Sequence, residues 1–205
     1  MHAEGLEHKT RECLALLAKQ AWLKNFYLAG GTAVALHLGH RLSLDLDFFS
    51  PKTIDPKDLR RQLSQIGDLT VEMEKEGTLW ATLNATKISF FHYPYSLIDS
   101  LEKFDNVSLA GVRDLSCMKL DTISSRGSKK DFVDLYFILK EGHSLPDIFS
   151  WFGEKYSEVN YNRGHLLKSL TYFEDADPEP SPTMIKKMSW DEIKSFFLKE
   201  TKKTI

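Results

Sequence analysis

The first forty residues carry an apolar pattern that predicts a helix, a strand and a second helix. A helix is expected over 7–24 and a short buried strand over 26–29, where a glycine pair breaks the strand. Thr32 is expected to cap the second helix, which ends at Gly39. The apolar stripe that predicts the first helix consists of Leu14, Leu17, Ala18 and Ala21.

The middle of the chain changes from helical to alternating spacing. Asp55 is followed by a proline and an early acid, which is the signature of a helix start, so a helix is expected over 55–66. Between 69 and 93 polar residues alternate with β-branched and aromatic ones, and this pattern predicts three antiparallel strands. A tight turn at Asn84-Ala85 is expected to join two of them.

Beyond residue 110 the pattern is helical almost throughout. Asp114 is expected to cap the first of four helices. Three prolines within 175–184 exclude a helix or a central strand, so this segment is expected to form an extended strap. Ser189 and Glu192 then make a capping box for a last helix that reaches residue 199. The four helices are expected over 114–125, 129–140, 147–158 and 163–173.

These elements predict an α+β fold in two parts. A mixed sheet with flanking helices is expected in residues 1–110, and a helical lobe that closes a cleft is expected in residues 111–205. The chain has 205 residues, enough for one full core or for two small lobes that share an interface. Its net charge of −2 gives no general argument for nucleic-acid binding, so such a contact would need a local basic patch, for instance at 126–130.

Two further features bound the type of protein. Cys13 and Cys117 are isolated, so the sequence indicates neither a disulfide framework nor a zinc site. No apolar run approaches the ~20 residues that a membrane span needs, and no signal-peptide core is found at the start. A cytoplasmic protein without membrane contact is therefore expected.

The strongest chemical signal is a pair of aspartates after the glycine pair. Because side chains alternate along a strand, Asp45 and Asp47 are expected on one face, together with Ser43. Two adjacent carboxylates repel each other, and a hard cation such as Mg²⁺ or Mn²⁺ would relieve this repulsion. The Gly-Gly-Thr turn ahead of them would present backbone N–H groups to phosphate at a helix N-terminus. The opposite face of the strand is expected to consist of Leu42, Leu44, Leu46 and Phe48.

This arrangement resembles the signature of polymerase β-like nucleotidyltransferases, and a narrower resemblance covers most of the chain. GGTAVALHLGHRLSLDLDFFS, TKISFFHYPY, MKLDTISSRGSKKDFVDLYFIL and DADPEP together resemble the AbiEii/AbiGii toxin family of nucleotidyltransferases. The resemblance implies a nucleotidyltransferase-like fold and Mg²⁺-dependent transfer of a nucleotide from an NTP, with tRNA as the acceptor in some members. It also implies membership of a type IV toxin–antitoxin or phage-abortive system, with a cognate antitoxin that acts without a stable complex.

The same resemblance assigns roles to individual residues. Asp45 and Asp47 would bind the metal as catalytic residues, and Asp131 would position or deprotonate the acceptor. A structural alternative makes Asp131 and Asp134 ion-pair partners of Lys129 or Lys130. The residues that would bind the nucleotide are Gly30, Gly31, Thr32, Ser43, Lys119, Arg126 and Lys130.

One departure from the superfamily pattern leaves rival functions open. Ser89 stands where a third carboxylate is usual, although Glu72 or Glu74 could replace it from an adjoining strand. A catalytically weak or silent protein that binds a nucleotide or a partner is therefore one alternative. Transfer to a small molecule, as in aminoglycoside-modifying members of the superfamily, is another. His37 and His40 could bind a metal, but a position on the helix surface is expected instead.

Overall fold

The structure is a computed structural model that describes residues 1–204. They form eight α-helices and a seven-stranded sheet. The helices are α1 (His8–Leu17), α2 (Gly30–Leu38), α3 (Pro56–Leu63), α4 (Val112–Ser125), α5 (Lys129–Lys140), α6 (Leu145–Lys155), α7 (Arg163–Ser169) and α8 (Trp190–Thr204). The strands are β1 (Tyr27–Ala29), β2 (Leu46–Ser50), β3 (Leu69–Lys75), β4 (Thr78–Leu83), β5 (Thr86–His92), β6 (Glu102–Phe104) and β7 (Val107–Leu109).

The sheet is mixed, as the sequence predicts. Its strand order is β3-β4-β5-β2-β1-β7-β6, with β2 parallel to β5, β1 parallel to β7 and the other neighbours antiparallel. One face packs on α1 and α3, where Leu17 and Leu63 join Phe48 and Phe90 in a buried apolar cluster. Burial alternates along β2 and β5, so the opposite face of these strands carries the partly buried side chains. That face holds the site described below.

Several local signals in the sequence are confirmed. Helix α5 has the predicted bounds, and Asp55 caps α3 by accepting a hydrogen bond from the N–H of Lys57. Asn84 and Ala85 have φ values of 48° and 65°, as a tight hairpin turn of this kind requires. The Ser189 and Glu192 capping box is also formed, although α8 runs on to Thr204.

Other helix bounds were predicted wrongly. The first helix ends at Leu17, because the chain then turns through a 3₁₀ segment (Ala21–Asn25) that brings Trp22 onto Phe26 and Phe90. Helix α6 begins two residues early because Ser144 forms its capping box, and it ends at Lys155. Helix α7 is shorter than predicted, and the β6–β7 hairpin was not predicted.

Two predicted caps have other roles. Helix α2 begins at Gly30 rather than after Thr32, whose hydroxyl points to the segment before β2. Helix α4 begins at Val112, and Asp114 lies inside its first turn. The buried carboxylate of Asp114 accepts hydrogen bonds from two backbone N–H groups and from Lys155 Nζ, at 2.6 Å for the lysine. Thr32 and Asp114 were predicted to cap helices, but their side chains instead bond residues distant in the sequence.

The two predicted parts of the chain share packing. Ala33 and Val34 of α2 belong to the same buried cluster as Leu120 of α4 and Leu135 of α5. The division at residue 110 stays a prediction. No helix within residues 1–204 has the length and apolar character needed to cross a membrane.

Candidate active site

The centre of the site is a pair of carboxylates at the start of β2. Asp47 lies inside the strand, in register with Ala29 of β1 and Ser89 of β5. Asp45 lies one residue before the strand, and its backbone carbonyl accepts a hydrogen bond from the Thr32 hydroxyl. The sheet thus fixes one carboxylate, and helix α2 fixes the segment that carries the other.

Thr32 and Ser43 pack against the segment that carries Asp45. Both are buried, and their hydroxyl oxygens lie 2.7 Å apart. The backbone of Ser43 also pairs with the N-terminal segment, donating its N–H to the carbonyl of Gly5 at 2.8 Å. Both residues line the cleft, but their hydroxyl groups already bond within the protein. The prediction of the opposite face was right for Leu46 and Phe48, which are buried, and wrong for Leu42 and Leu44, which line the cleft. Strand alternation does not apply to these two residues, because β2 begins only at Leu46.

The glycine pair permits a close approach of α2 to the carboxylates. Gly30 has φ +64°, and a Cβ atom there would lie 2.7 Å from Asp47 Oδ2. A Cβ atom on Gly31 would collide with the guanidinium of Arg41. No side chain within residues 1–204 caps the N-terminus of α2, where Gly31 lines the cleft and Gly30 an adjoining pocket.

The electrostatics of the pair favour a bound cation. Burial and the neighbouring Asp45 raise the pKa of Asp47, while the nearby hydroxyl of Ser89 and the charges of Lys119 and Arg126 oppose this rise. A divalent cation would offset the repulsion between the two ionised carboxylates. Within residues 1–204 no three acidic, histidine or cysteine side chains converge on one point. The two aspartates therefore fit a Mg²⁺ or Mn²⁺ ion only if substrate oxygens and water complete its coordination.

A buried charged cluster stands opposite the carboxylates. We call Asp134 and its partners His40, Arg41 and Lys119 the Asp134 cluster. The guanidinium of Arg41 donates to both carboxylate oxygens of Asp134, at 2.6 and 2.8 Å. Lys119 Nζ lies 2.7 Å from Oδ2, and His40 Nε2 lies 2.8 Å from Oδ1. Burial opposes the charge on Asp134, but Arg41, Lys119 and His40 outweigh it and hold its pKa well below the usual value.

Asp131 lies beside this cluster with donors around it. Its carboxylate accepts hydrogen bonds from Lys119 Nζ at 2.7 Å, from Ser128 Oγ at 2.9 Å and from Arg126 Nε at 3.3 Å. Burial works against ionisation, but Lys119 and Arg126 outweigh it and lower the pKa of Asp131. The predicted ion pairs of Asp131 and Asp134 with Lys129 or Lys130 were wrong. Both aspartates pair with residues outside α5, which are Arg41, Lys119 and Arg126.

Lys129 and Lys130 face in different directions. Lys130 is exposed and lines the cleft, whereas Lys129 is buried and holds the strap of residues 177–184. Lys129 Nζ donates to the carbonyls of Asp177 and Glu179, and its backbone N–H donates to the Glu179 carboxylate at 2.7 Å. The strap was predicted to be extended over 175–184, but residues 174–178 form turns, in which the N–H of Asp177 donates to the carbonyl of Phe173 at 2.8 Å. Its later part pairs with the segment after α2 through a bridge between Arg41 and Met184.

These parts enclose a cleft of about 710 Å³. Its walls bring together nine of the ten residues predicted for the site, all except Gly30, which lines a smaller adjoining pocket. Arg126 is largely exposed, so its charge is available to a ligand, while Lys119 is buried between two aspartates. The cleft thus has acidic groups on the sheet side and basic groups on the helical side.

The acids proposed as a third ligand lie elsewhere. Glu72 accepts a hydrogen bond from Thr82, and Glu74 pairs with Arg60 at 3.2 Å. Both belong to β3, three strands away from β2 in the sheet, which corresponds to roughly 14 Å. They do not replace the missing acid, and the side chain beside Asp47 is that of Ser89.

His37 and His40 were predicted on a helix surface, and this prediction was wrong because both side chains are buried. For His40, the sequence around its partner Asp134 contains a signal that could have indicated the contact. His37 is largely buried and hydrogen-bonds the carbonyl of Ala110, while His40 is fully buried against Asp134. Asp134 stands alone in an apolar helical run, FVDLYFIL, and such a buried acid requires a cationic partner. No comparable signal marks the contact between Glu179 and α5.

Comparisons with known proteins agree with this geometry. The chain is 36% identical over 202 residues to an uncharacterized protein, aq_aa25, of Aquifex aeolicus (strain VF5), and the match covers 96% of each chain. Two solved structures share the fold. One is a provisionally assigned nucleotidyltransferase from H. pylori (TM-score 0.53, 19% identity, 95% of this chain and 94% of that one). The other is the nucleotidyltransferase toxin MenT4 of Mycobacterium tuberculosis H37Rv (TM-score 0.60, 12% identity, 93% and 80%).

The family comparison covers almost all of the part that carries the site. The model of the nucleotidyl transferase AbiEii toxin family, of the type IV toxin–antitoxin system, matches residues 13–203. This range includes the glycine pair, Asp45 and Asp47, the Asp134 cluster and the strap. The chain belongs to the AbiEii family of nucleotidyltransferase toxins.

Proposed function

We propose that this protein transfers a nucleoside monophosphate from an NTP to an acceptor with the help of Mg²⁺ or Mn²⁺. The observation that carries the proposal is the position of Asp45 and Asp47, which face Lys119, Arg126 and Lys130 across one cleft. Phosphate oxygens and a hard cation are the ligands that such a combination of carboxylates and cationic side chains would bind.

Residues on the two walls of the cleft would have different roles in the reaction. The open N-terminus of α2 at Gly30 and Gly31 would bind phosphate oxygens through its N–H groups. Arg126 and Lys130 are exposed and would neutralise charge on the triphosphate. A divalent ion held by the aspartates would supply Lewis-acid activation of the attacked phosphorus.

We assign Asp131 a positioning part in this reaction. Its lowered pKa makes it a weak base, and its carboxylate binds the ammonium group of Lys119 at 2.7 Å. In this position it would hold Lys119 toward the phosphates rather than remove a proton from the acceptor. Deprotonation of the acceptor hydroxyl would then rely on the metal site.

The acceptor we propose is an RNA, with tRNA as the first candidate. The AbiEii family is a family of toxins, which supports a cellular macromolecule as the target. Ser89 in place of a third acid favours a second candidate function, in which the protein binds nucleotide but transfers it slowly or not at all. As a family member of a type IV system, the protein would be countered by a cognate antitoxin, for which we propose an action without a stable complex.

The decisive experiment compares the wild type with the double variant Asp45→Ala and Asp47→Ala. Each protein is incubated with each α-labelled NTP, Mg²⁺ or Mn²⁺, and either total tRNA or a panel of aminoglycosides. We expect a labelled RNA band with the wild type and a loss of at least about 100-fold in the double variant, because the metal loses its protein ligands.

Glu72→Ala is the matched control, since it removes an acid of the same sheet that lies outside the cleft. Its labelling of RNA should equal that of the wild type. Undiminished labelling in the double variant would contradict the site assignment. A labelled aminoglycoside without labelled RNA would contradict the proposed acceptor, and nucleotide binding without any product would favour the slow or silent alternative.

A further inference from the structure

A second, smaller pocket opens from the cleft beside Asp47. Its volume is about 250 Å³, and it shares Gly31, Asp47 and Lys119 with the cleft. Sites for a complete small-molecule ligand usually enclose about 300–1,000 Å³. The pocket is therefore the right size for one part of a ligand whose charged part lies in the larger cleft.

The walls of this pocket are largely apolar. On the sheet side, the ring of Phe49 stacks between Tyr27 and Phe91, with centroids 6.0 and 5.0 Å away, so its edge and not its face borders the pocket. Tyr93 meets Phe49 edge-on at 5.3 Å. On the helix side, α4 contributes Leu115 and Met118. Aromatic edges together with aliphatic and thioether groups contact planar heterocycles by edge-to-face packing and dispersion.

Asp121 supplies a polar group at the edge of the pocket. It lies on α4 one turn after Met118, and its carboxylate makes no hydrogen bond or ion pair with the rest of residues 1–204. The apolar surroundings raise its pKa by removing part of its water. The hydroxyl of its neighbour Thr122 already bonds backbone carbonyls of α4. Asp121 is exposed to solvent at the mouth of the pocket, so its carboxylate offers an acceptor that water and no protein donor within the described part of the chain can occupy.

We propose that this pocket binds a nucleobase and that Asp121 selects bases that carry an exocyclic amino group. This role of Asp121 rests on the proposed nucleotidyl transfer, and Asp121 would determine which base the protein prefers. A carboxylate accepts a hydrogen bond from the amino group of cytosine. Uracil has a carbonyl oxygen at the same position, and two acceptors that face each other repel.

CTP and UTP provide the sharpest test, because they have the same size and differ at this one position. The wild type is expected to prefer CTP over UTP by roughly 10- to 100-fold, the range for a hydrogen bond to a charged group. In Asp121→Asn the ratio should fall toward one, since the amide can donate to the uracil oxygen. A ratio within one variant is insensitive to the fraction of protein that is folded.

Two measurements separate the two possible sources of the base. Equilibrium binding of CTP and UTP, with Mn²⁺ and no acceptor, reports on the base of the NTP. Transfer to otherwise identical RNAs that end in C or U reports on the base of the acceptor. A ratio that depends on Asp121 in either measurement supports the pocket assignment and identifies its occupant.

Asp191→Asn is the matched control, because Asp191 is an exposed carboxylate on α8, away from both pockets. It should leave both ratios unchanged. Ratios that are the same in the wild type and in Asp121→Asn would overturn this inference while leaving the proposed transfer intact. Failure of the wild type to bind any nucleotide would overturn both.

Discussion

At the scale of single residues, the hydroxyl of Ser89 beside Asp47 limits what the site can bind. The parallel register of β2 and β5 places the two side chains side by side on the open face of the sheet. The nearby hydroxyl lowers the pKa of Asp47, which only partly offsets burial and the charge of Asp45. Ser89 thus stands beside Asp47 as a neutral hydroxyl where a third acid would supply another ligand for a cation.

Restoring an acid at this position should create a stronger metal site. Ser89→Asp is expected to lower the melting temperature without metal, because a third carboxylate adds to the repulsion at Asp45 and Asp47. With Mn²⁺ at about 100 times its dissociation constant, binding should return about 2.7 kcal/mol of stability. Thermal unfolding with and without Mn²⁺ measures this gain.

The matched control is Ser89→Asn, which has a similar size and no charge. Its response to Mn²⁺ should not exceed that of the wild type. If Ser89→Asp and Ser89→Asn respond equally to Mn²⁺, position 89 does not face the metal site and the role assigned to the parallel register is wrong.

The residue scale also shows why part of the site was predictable from sequence. The glycine pair, Asp45, Asp47 and Ser89 lie on short local patterns, and the structure places them together as expected. The contact of Arg41 with Asp134 joins positions 93 apart, and no local pattern contains both. Sequence reasoning could identify Asp134 as a functional or paired acid, but it could not name its partner.

At the scale of elements, the strap forms one wall of the cleft without regular secondary structure. It is held at one end by Lys129 and Trp190, and at the other by the backbone of the segment after α2. The N–H of Leu42 donates to the carbonyl of Thr183 at 2.8 Å. The prolines predicted that this segment is extended, but they contained no information about where it would lie.

Lys129→Met tests the anchoring of the strap, since methionine keeps the apolar stem and removes the ammonium group. We expect faster hydrogen exchange over 177–184 and a loss of about 1–3 kcal/mol in unfolding free energy, because two strap carbonyls lose their donor. The KM for the NTP should rise as well, because the strap lines the cleft.

Lys186→Met is the control for this prediction, because Lys186 is a partly exposed lysine whose ion pair with Glu141 spans 3.7 Å at the surface. Its exchange rates and stability should match those of the wild type within about 0.5 kcal/mol. Equal exchange over 177–184 in both variants would mean that the prolines alone fix the strap.

At the scale of the whole molecule, the Asp134 cluster ties the sheet side of the cleft to its helical side. His40 and Arg41 follow α2, Lys119 lies on α4 and Asp134 lies on α5. Burial lowers the pKa of His40, against the effect of Asp134, and the charges of Arg41 and Lys119 add to the lowering. Its Nδ1 atom is buried without a partner in the described residues, so a second ring proton would find no acceptor.

This environment predicts a pH dependence of stability. The pKa of His40 is lower in the folded state than its unfolded value of about 6.5, so below pH 6.5 the unfolded chain binds a proton that the folded chain does not. The free energy of unfolding should therefore fall as the pH falls below about 6.5. His40 alone contributes a slope of up to about 1.4 kcal/mol per pH unit.

Urea unfolding between pH 7.5 and 5 measures this slope. His40→Gln keeps a donor for Asp134 but does not titrate, so its slope should be smaller than that of the wild type. His8→Gln removes an exposed histidine and should leave the slope unchanged. Equal slopes in all three proteins would show that the pKa of His40 is the same in the folded and unfolded chains, and would contradict its lowered pKa.

The long separation within the Asp134 cluster also bears on the order in which the protein is made. Arg41 is synthesised 93 residues before its counter-ion Asp134, and the strap that lines the cleft follows later still. While the chain grows on the ribosome, the guanidinium remains in water and the early segments lack one wall of the cleft. The cleft of this toxin family member is therefore complete only after the strap has been translated, and shorter nascent chains carry Asp45 and Asp47 without that wall.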